Sequence, residues 1–176
     1  MKVVILTRAV YPFHGYGGME RYYHYLARYL FREGIEIEVV TSCDSSRRRC
    51  IECEGISYTF LPPNFNKKLL MSIWYQLFDK SVCKYLNTKN FNIVHGTGGL
   101  YRYTMLNNRK PIIFQPFGLE TIKSEKLLVK SLNKLFSYQL HKIFDKAEAV
   151  ASLGEANTKD IINLFKVPKE KIFHLP

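Results

Sequence analysis

The sequence contains no long apolar run. Its apolar start, residues 1–6, is followed almost at once by Arg8. This run is too short for the core of a signal peptide or for a membrane span. No other window approaches the roughly 18 uninterrupted apolar residues that a membrane helix needs. These absences predict a cytoplasmic protein.

Acidic side chains are scarce. The chain has 15 of them against 26 Lys and Arg, which gives a formal net charge of +11. This balance favours an anionic partner such as a nucleic acid, an acidic lipid or a phosphorylated small molecule. No helix-turn-helix, RNP or zinc-finger pattern is present, so we expect no nucleic acid. The 176 residues, 47% of them hydrophobic, suit one domain with a sizeable core.

The four cysteines lack the pattern of a metal site. Cys50 and Cys53 form a C-x2-C pair, with Cys43 upstream and Cys83 far away. A structural zinc site would need a second pair, or histidines at ligand spacing. We therefore expect reduced thiols and no metal. The alternative is a local disulfide, if the source is a hyperthermophile.

Apolar runs alternate with helical periodicities along the whole chain, as expected of a parallel sheet. The polar stretch 42–54 is predicted as a surface loop, and Pro62 and Pro63 are predicted to end the third strand. The predicted fold is one α/β domain over residues 1–176, a doubly wound, mostly parallel, Rossmann-like sheet. Strands are predicted at 2–7, 35–41, 56–61, 91–95, 112–115, 148–152 and 171–175, and helices at 19–30, 65–86, 124–144 and 155–165.

Ligands of open α/β sheets bind beyond the carboxyl ends of the strands. This rule selects the loops 8–18, 95–99, 116–121 and 152–155. In the first loop, Gly17 and Gly18 stand directly before a helix, where backbone N–H groups and the helix dipole can hold a phosphate. The alternative is a flexible turn.

Two common nucleotide motifs are absent from this loop. A dinucleotide fingerprint would need glycine or alanine at position 20, where Glu20 stands, and a tighter first turn. A P-loop would need Gly-Lys-Ser or Gly-Lys-Thr, which does not occur. No pair of carboxylates stands out as acid and nucleophile.

A composite pattern is more specific than any of its parts. A first strand, a long loop, the segment Gly17-Gly18-Met19-Glu20-Arg21 and a helix to Leu30 resemble the family 4 glycosyltransferases of the GT-B fold. The resemblance continues in order along nearly the whole chain. The matching segments are the second strand at 34–41, a strand end at 92–95, a turn at 111–120, a strand at 147–152 and the approach to a second domain at 169–176.

The resemblance implies a retaining transfer of a sugar from a nucleotide-sugar to a hydroxyl acceptor. In this family the N-terminal domain mainly holds the acceptor, and a C-terminal domain holds the nucleotide-sugar. We expect this chain to be the N-terminal domain of a hexosyltransferase-type enzyme that continues beyond Pro176. The C-terminal domain is absent from the chain, so we expect the fragment alone to be inactive. The nucleotide-sugar is a co-substrate, so no cofactor is expected.

The resemblance also implies roles for single residues. Gly17 and Gly18 would present backbone N–H groups to a phosphate of the donor. Glu20 and Arg21, in the first helical turn, would belong to the same donor-binding set, although Glu20 also suits the helix dipole by itself. The implied catalytic residues are His95 and Glu120, and a hydrogen-bonded core histidine is the alternative for His95. The residues implied on the acceptor side are Tyr16, Gly98, Phe117 and Gly118.

One departure from the family pattern affects the activity. The family usually has a histidine immediately before the glycine at 118, where this chain has Phe117. A phenyl ring cannot hydrogen-bond, so the donor, the acceptor and the activity itself stay open. Phe117 is either a stacking platform for a sugar ring or a packing residue. The alternative functions are a non-catalytic sugar- or nucleotide-binding module and another GT-B enzyme, such as a nucleotide-sugar epimerase.

A lysine stripe bears on location. Spacings of i, i+3, i+7 and i+11 put four lysines on one side of the predicted 124–144 helix, as a solvated face or as a contact for anionic lipid. Lys67, Lys68 and Trp74 of the preceding helix would assist. The lipid reading predicts a protein peripheral at the inner face of the membrane, with a lipid-linked acceptor. The stripe is Lys123, Lys126, Lys130 and Lys134.

Overall fold

The computed structural model describes residues 1–15, 17–43, 49–64, 71–117, 119 and 130–175. Eight strands and five α-helices occur in these ranges. The strands are β1 (Lys2–Leu6), β2 (Glu36–Cys43), β3 (Arg49–Cys53), β4 (Ile56–Asn64), β5 (Ile93–Gly96), β6 (Ile112–Phe114), β7 (Ala149–Ser152) and β8 (Ile172–His174). The helices are α1 (Gly18–Arg32), α2 (Met71–Asn87), α3 (Tyr101–Thr104), α4 (Lys130–Lys146) and α5 (Glu155–Phe165), with a 3-10 turn at Lys169–Lys171.

All eight strands form one sheet in the order β3-β4-β2-β1-β5-β6-β7-β8. Neighbouring strands are parallel throughout, except for the antiparallel pair of β3 and β4. The predicted doubly wound, mostly parallel sheet is therefore confirmed. Its strand order reverses direction at β1, because β2 lies on one side of β1 and β5 on the other.

The central strands are buried on both faces, which explains their continuous apolar sequences. Val3 and Ile5 of β1 belong to one core cluster, which includes Tyr23 and Ala27 of α1. The intervening residues of β1 pack into a second cluster, with side chains from α2 to α5. Successive side chains of a strand point to opposite faces, so β1 joins the two halves of the core.

The stretch predicted as a loop at 42–54 contains an edge strand, so this prediction was wrong for its described part. Residues of β3 are alternately half-buried and exposed, and β3 pairs antiparallel with β4. A two-residue turn joins the strands, with φ of 53° at Glu54 and 76° at Gly55. Positive φ at both positions is typical of a type I′ hairpin turn. No disulfide joins any two of the four cysteines, all of which lie in the described ranges.

The two prolines do not end the third predicted strand. β4 continues to Asn64, past the cis peptide bond between Pro62 and Pro63. The pairing with β2 shifts at this point, from Ser42 opposite Leu61 to Cys43 opposite Asn64. The prolines therefore occupy an irregularity of the ladder, where the missing N–H groups are not needed.

The helices agree with the predicted periodicities, although the starts of two predicted helices lie at 65–70 and 124–129, outside the described residues. The short helix α3 and the 3-10 turn were not predicted. Among the described helices, none has the length and apolar character needed to cross a membrane.

Candidate functional site

The carboxyl ends of β1, β5 and β6 lie side by side. β1 pairs with β5 up to Leu6 and Gly96, and β5 pairs with β6 up to Gly96 and Phe114. The loops that follow these three strands therefore leave the sheet at one edge, where ligands of such sheets bind. They carry most of the residues that the sequence predicts for the site.

The loop after β1 is held against β2 and α1 by hydrogen bonds. His14 Nε2 lies 2.8 Å from the carbonyl oxygen of Ser42, and the Ser42 N–H donates to the Arg8 carbonyl at 3.3 Å. The Tyr11 N–H donates to the carbonyl of Glu20 at 3.2 Å. These bonds connect the loop to the first turn of α1 and to the end of β2.

Helix α1 begins directly at the glycine pair. Gly17 is its N-cap residue and Gly18 its first helical residue, and no side chain caps this terminus. The first helical bond runs from the Arg21 N–H to the Gly17 carbonyl at 3.1 Å. The backbone N–H groups before Arg21 have no partner within the helix, which is the usual origin of anion binding at a helix start.

The two glycines differ in their surroundings. A Cβ at Gly18 would meet no atom of the described residues within 4 Å, whereas a Cβ at Gly17 would overlap the carboxylate of Glu20. The Glu20 side chain thus folds back over the start of its own helix, where the dipole favours a negative charge. Any phosphate at this terminus shares its position with that carboxylate.

His95 lies in β5 and is buried, with 5% of its surface exposed. Its Nε2 is 2.8 Å from Oε1 of Gln115, which directly follows β6 and is fully buried. Burial lowers the pKa of His95 to about 4, against a smaller opposing effect of Gln115. The ring is therefore neutral at physiological pH. This is the environment of a hydrogen-bonded core histidine, at the edge where a substrate would bind.

Aromatic side chains connect α1 with the strand ends. Phe117 packs edge-on against Tyr22 and Tyr23, with 5.5 Å between ring centroids in both pairs. Tyr23 in turn lies 5.9 Å from the His95 ring. Burial raises the pKa of Tyr23 well above its ordinary value. Phe117 is half-buried, so it both packs on the core and keeps part of its ring accessible.

The turn after β5 depends on glycine at two positions. A Cβ at Gly96 would lie 3.1 Å from Leu6 and Leu100 side chains, and Gly99 has φ +72° with Phe78 at 3.0 Å from its ideal Cβ. At Gly98, the glycine predicted for the acceptor side, a Cβ would have one neighbour among the described residues, Tyr75 at 3.9 Å. Packing and backbone conformation thus explain Gly96 and Gly99, and they leave room at Gly98.

A buried carboxylate fixes the end of this turn. Asp79 of α2 accepts the Arg102 N–H with its two oxygens, at 3.1 and 3.3 Å, and lies 3.2 Å from Arg102 Nε. Burial raises the pKa of Asp79 to about 6, although hydrogen bonds from the Arg102 and Tyr101 backbone and the Arg102 charge oppose the shift. Asp79 thereby caps α3, the short helix that follows the turn.

The structure brings several predicted residues together. His95 and Phe117 belong to one aromatic and polar cluster, which adjoins the helix that starts at Gly17 and Gly18. Arg21 is exposed in the first turn of that helix. Tyr16, Gly118 and Glu120 lie outside the described residues, as do Lys67, Lys68, Lys123 and Lys126. Within the described ranges, no three or more His, Cys, Asp or Glu side chains are grouped to hold a metal ion.

Sequence reasoning missed Gln115, Asp79 and the two tyrosines. Gln115 was assigned to a strand without a role, and its signal is a polar residue at the end of an apolar run. Asp79 is an acidic residue beside the apolar Phe78. Tyr22 and Tyr23 were counted only as the apolar face of α1. Such signals identify a buried polar group, but they do not identify its partner.

The model of glycosyltransferase family 4 matches residues 16–176. The chain belongs to this family. Comparison with curated protein sequences finds no significant match.

Solved glycosyltransferase structures share the fold. Sucrose-phosphate synthase from Thermosynechococcus elongatus is 11% identical with a TM-score of 0.73, over 99% of this chain and 47% of that one. The glycosyltransferase WaaG is 14% identical with a TM-score of 0.72, over 99% of this chain and 44% of that one. The catalytic domain of starch synthase IV from Arabidopsis thaliana is 13% identical with a TM-score of 0.70, over 98% of this chain and 50% of that one.

At these identities the solved structures show the fold, and the family match shows a glycosyltransferase domain. The sheet corresponds to the N-terminal Rossmann-like domain of GT-B glycosyltransferases. This family 4 chain spans about half the length of the three structures.

Proposed function

We propose that this family 4 domain is the acceptor-side half of a retaining glycosyltransferase that moves a sugar from a nucleotide-sugar to a hydroxyl. The observation that carries the proposal is the uncapped start of α1, next to the cluster of His95, Gln115 and Phe117, at the carboxyl ends of three neighbouring strands. Such a transfer needs a site for the donor phosphates and polar groups for the acceptor at the same edge of the sheet. The start of α1 and the end of β5 would supply them.

The donor phosphates bind at the start of α1. Gly18 leaves open space for a ligand, and the exposed Arg21 adds positive charge in the same turn. The phosphate displaces the Glu20 carboxylate from its position over Gly17, so Glu20 competes with the donor. Stabilising a departing diphosphate by charge and dipoles needs no carboxylate pair. We expect no metal.

The acceptor lies against the Phe117 side of the edge. The half-exposed Phe117 ring offers an apolar face, and Gly98 leaves room above Tyr75. His95 contributes as a neutral hydrogen-bonding group, because burial keeps its pKa near 4. Tyr16, Gly118 and Glu120 remain proposed members of this site on the family pattern alone.

The reaction needs the part of the relatives that this chain does not cover. About half of each compared structure has no counterpart here. The Arabidopsis relative was solved with ADP and acarbose, which supports a nucleoside-diphosphate donor and a glycan acceptor for this fold. We infer that residues 1–176 alone bind ligands weakly and do not complete the transfer.

A lipid-linked acceptor at an anionic membrane surface is part of the proposal. Exposed Ile73 and Leu77, 47% and 44% accessible, lie on α2 beside the exposed Lys80 in a chain of net charge +11. WaaG, of the same fold, takes part in lipopolysaccharide biosynthesis. Flotation with anionic vesicles at low and high salt tests this surface. Leu77→Asp should abolish binding, and Met105→Asp, at the exposed residue directly after α3, should not. No binding at either salt rejects the membrane contact.

One observation favours a second candidate, a non-catalytic sugar- or nucleotide-binding module. Phe117 stands where the family has a histidine, and its ring is packed against Tyr22 and Tyr23. Such a module would bind nucleotide-sugars and release no nucleoside diphosphate. A nucleotide-sugar epimerase would release free sugar or isomerised donor without an acceptor.

A glycine variant tests the proposed donor site. In the full-length protein, Gly18→Val should raise the donor KM about tenfold or more, because its side chain fills the space of a phosphate. Gly34→Ala at the far end of α1 is no suitable control, since Gly34 has φ +78°. Tyr29→Ala, on the exposed face of α1, is the control and should leave KM unchanged. Unaltered donor kinetics in Gly18→Val would refute the site.

A further inference from the structure

Two buried polar side chains from neighbouring strands meet at the candidate site. His95 of β5 and Gln115 after β6 are brought together by the parallel register, since the Gln115 N–H also donates to the Gly96 carbonyl at 2.9 Å. Gln115 is fully buried and His95 is 5% exposed. A hydrogen bond between such groups is shielded from water and is strongly directional.

The contact selects one form of the imidazole. Oε1 of Gln115 can only accept a hydrogen bond, so Nε2 of His95, 2.8 Å away, must carry the proton. Which ring nitrogen of a neutral histidine is protonated depends on the hydrogen bonds it makes. The ring is also held in orientation by the edge of Tyr23, 5.9 Å between centroids.

The far side of the Gln115 amide faces α1. Its Nε2 is buried and has no hydrogen bond of regular geometry among the described residues. It lies close enough to Tyr22 to oppose the burial that raises the pKa of that phenol. This position keeps the amide nitrogen toward Tyr22 and the amide oxygen toward His95.

We propose that Gln115 is a positioning residue, which holds His95 as the neutral tautomer protonated on Nε2. His95 then offers the site a lone pair on Nδ1 and cannot act there as a proton donor. The tautomer is independent of the reaction, whereas the use of Nδ1 by a substrate rests on the proposed transferase function. The residue is distinct from those that the family pattern supplies.

Among the residues that the structure describes, no charged side chain affects the pKa of His95. The two influences on the His95 pKa are burial, which lowers it, and Gln115, which opposes the lowering. Of the described residues, Tyr23 of α1 contacts the ring with its own ring, and Gln115 contacts it with its amide. A charge introduced at position 115 should therefore change the titration of His95 strongly.

Nitrogen NMR on the protein labelled with 15N-histidine tests the proposal. Long-range 1H–15N spectra distinguish protonated from unprotonated ring nitrogens, and His95→Asn identifies the signals of this ring. The wild type should show the proton on Nε2 and a titration midpoint near 4. Gln115→Glu should raise the midpoint by about 1 pH unit or more, since a carboxylate stabilises the imidazolium.

A second pair of variants separates positioning from packing. Gln115→Leu, of similar size, should give a mixture of tautomers, and Gln139→Leu on α4 should leave the His95 signals unchanged. A wild-type proton on Nδ1, a midpoint near the ordinary histidine value, or an unaltered tautomer in Gln115→Leu would overturn the proposal. If Gln115→Leu does not fold, the wild-type and Gln115→Glu spectra still show which ring nitrogen is protonated and whether position 115 sets the titration of His95. These spectra need no turnover, so they remain valid if the protein proves not to be a transferase.

Discussion

The carboxylate of Glu20 lies over Gly17, at the start of the helix that contains both residues. The side chain occupies the space that a Cβ at Gly17 would take. A negative charge at this terminus stabilises the free helix, and the same position is the one that a donor phosphate needs. In the proposed transferase, Glu20 is therefore displaced when the donor binds.

Removing this charge should affect stability and donor binding in opposite directions. Glu20→Gln should lower the free energy of unfolding by about 0.3–1 kcal/mol, the usual value of a charge at a helix end. It should also lower the donor KM, because the phosphate no longer competes with a carboxylate. Urea unfolding and steady-state kinetics of the full-length protein measure the two effects. Glu33→Gln, at the other end of α1, is the control, and a raised donor KM in Glu20→Gln would instead make Glu20 a donor ligand.

The ring of Phe117 should be replaceable by an imidazole without loss of turnover. Phe117 is half-buried against Tyr22 and Tyr23, and histidine keeps a planar ring in that position while restoring the family residue. Phe117→His should preserve or raise kcat in the full-length protein. Phe117→Ala should instead destabilise the domain by about 1–3 kcal/mol through lost packing, somewhat less than a fully buried phenylalanine. A complete loss of turnover in a stable Phe117→His variant would show that the phenyl ring itself is required.

The pH dependence of stability should reveal the buried Asp79. Its folded-state pKa is about 6, above the ordinary 3.8. The protonated Asp79 therefore stabilises the folded state fully below pH about 4. This stabilisation is lost as the pH rises through 6, which lowers the free energy of unfolding by about 3 kcal/mol at most. Asp79→Asn removes this ionisation. The stability of Asp79→Asn relative to wild type should accordingly increase from pH 4 to pH 7.

Denaturant unfolding at several pH values measures the difference between the free energies of unfolding of Asp79→Asn and wild type. The contributions of the other carboxylates cancel in this difference, because both proteins contain them. Asp145→Asn, at the exposed end of α4, is the control for removal of a carboxylate from the surface. A difference between Asp79→Asn and wild type that is constant from pH 4 to pH 7 would contradict the assignment.

A buried network around Glu38 should contribute to stability and not to activity. Glu38 Oε1 accepts hydrogen bonds from Tyr85 and from Thr59, the latter at 2.9 Å, and Lys2 Nζ lies 3.7 Å from Oε2. Tyr85→Phe leaves part of this buried carboxylate unsatisfied and should cost about 1–3 kcal/mol. Tyr29→Phe, at a tyrosine that is 61% exposed, should cost nothing measurable. Equal stabilities of the two variants would show that the Tyr85 hydroxyl is not needed.

The sequence allowed the centre of the sheet to be predicted, because strands buried on both faces contain runs of apolar residues. The edge was harder to predict. The strand β3 is short, and its residues are alternately half-buried and exposed, with none fully buried. Its sequence is therefore as polar as that of a surface loop. The prolines in β4 are tolerated because the ladder shifts there, and a shift in pairing leaves no trace in the sequence of one strand.

The start of α1 at the glycine pair could be predicted, because a helix start is a local property of the chain. The role of these glycines in binding stays a prediction. Gln115 and Asp79 act through partners 20 and 23 residues away in sequence, and only the fold brings these pairs together. Sequence alone does not show that Gly99, and not Gly98, packs against Phe78.

The central claim is a retaining transfer from a nucleotide-sugar, and product stereochemistry tests it most directly. The full-length protein is incubated with a panel of nucleotide-sugars and hydroxyl acceptors, and proton NMR follows the anomeric signals with release of nucleoside diphosphate. The account predicts one donor whose sugar appears on the acceptor with its original anomeric configuration. An inverted anomer, or binding of nucleotide-sugars without any release of nucleoside diphosphate, would contradict it.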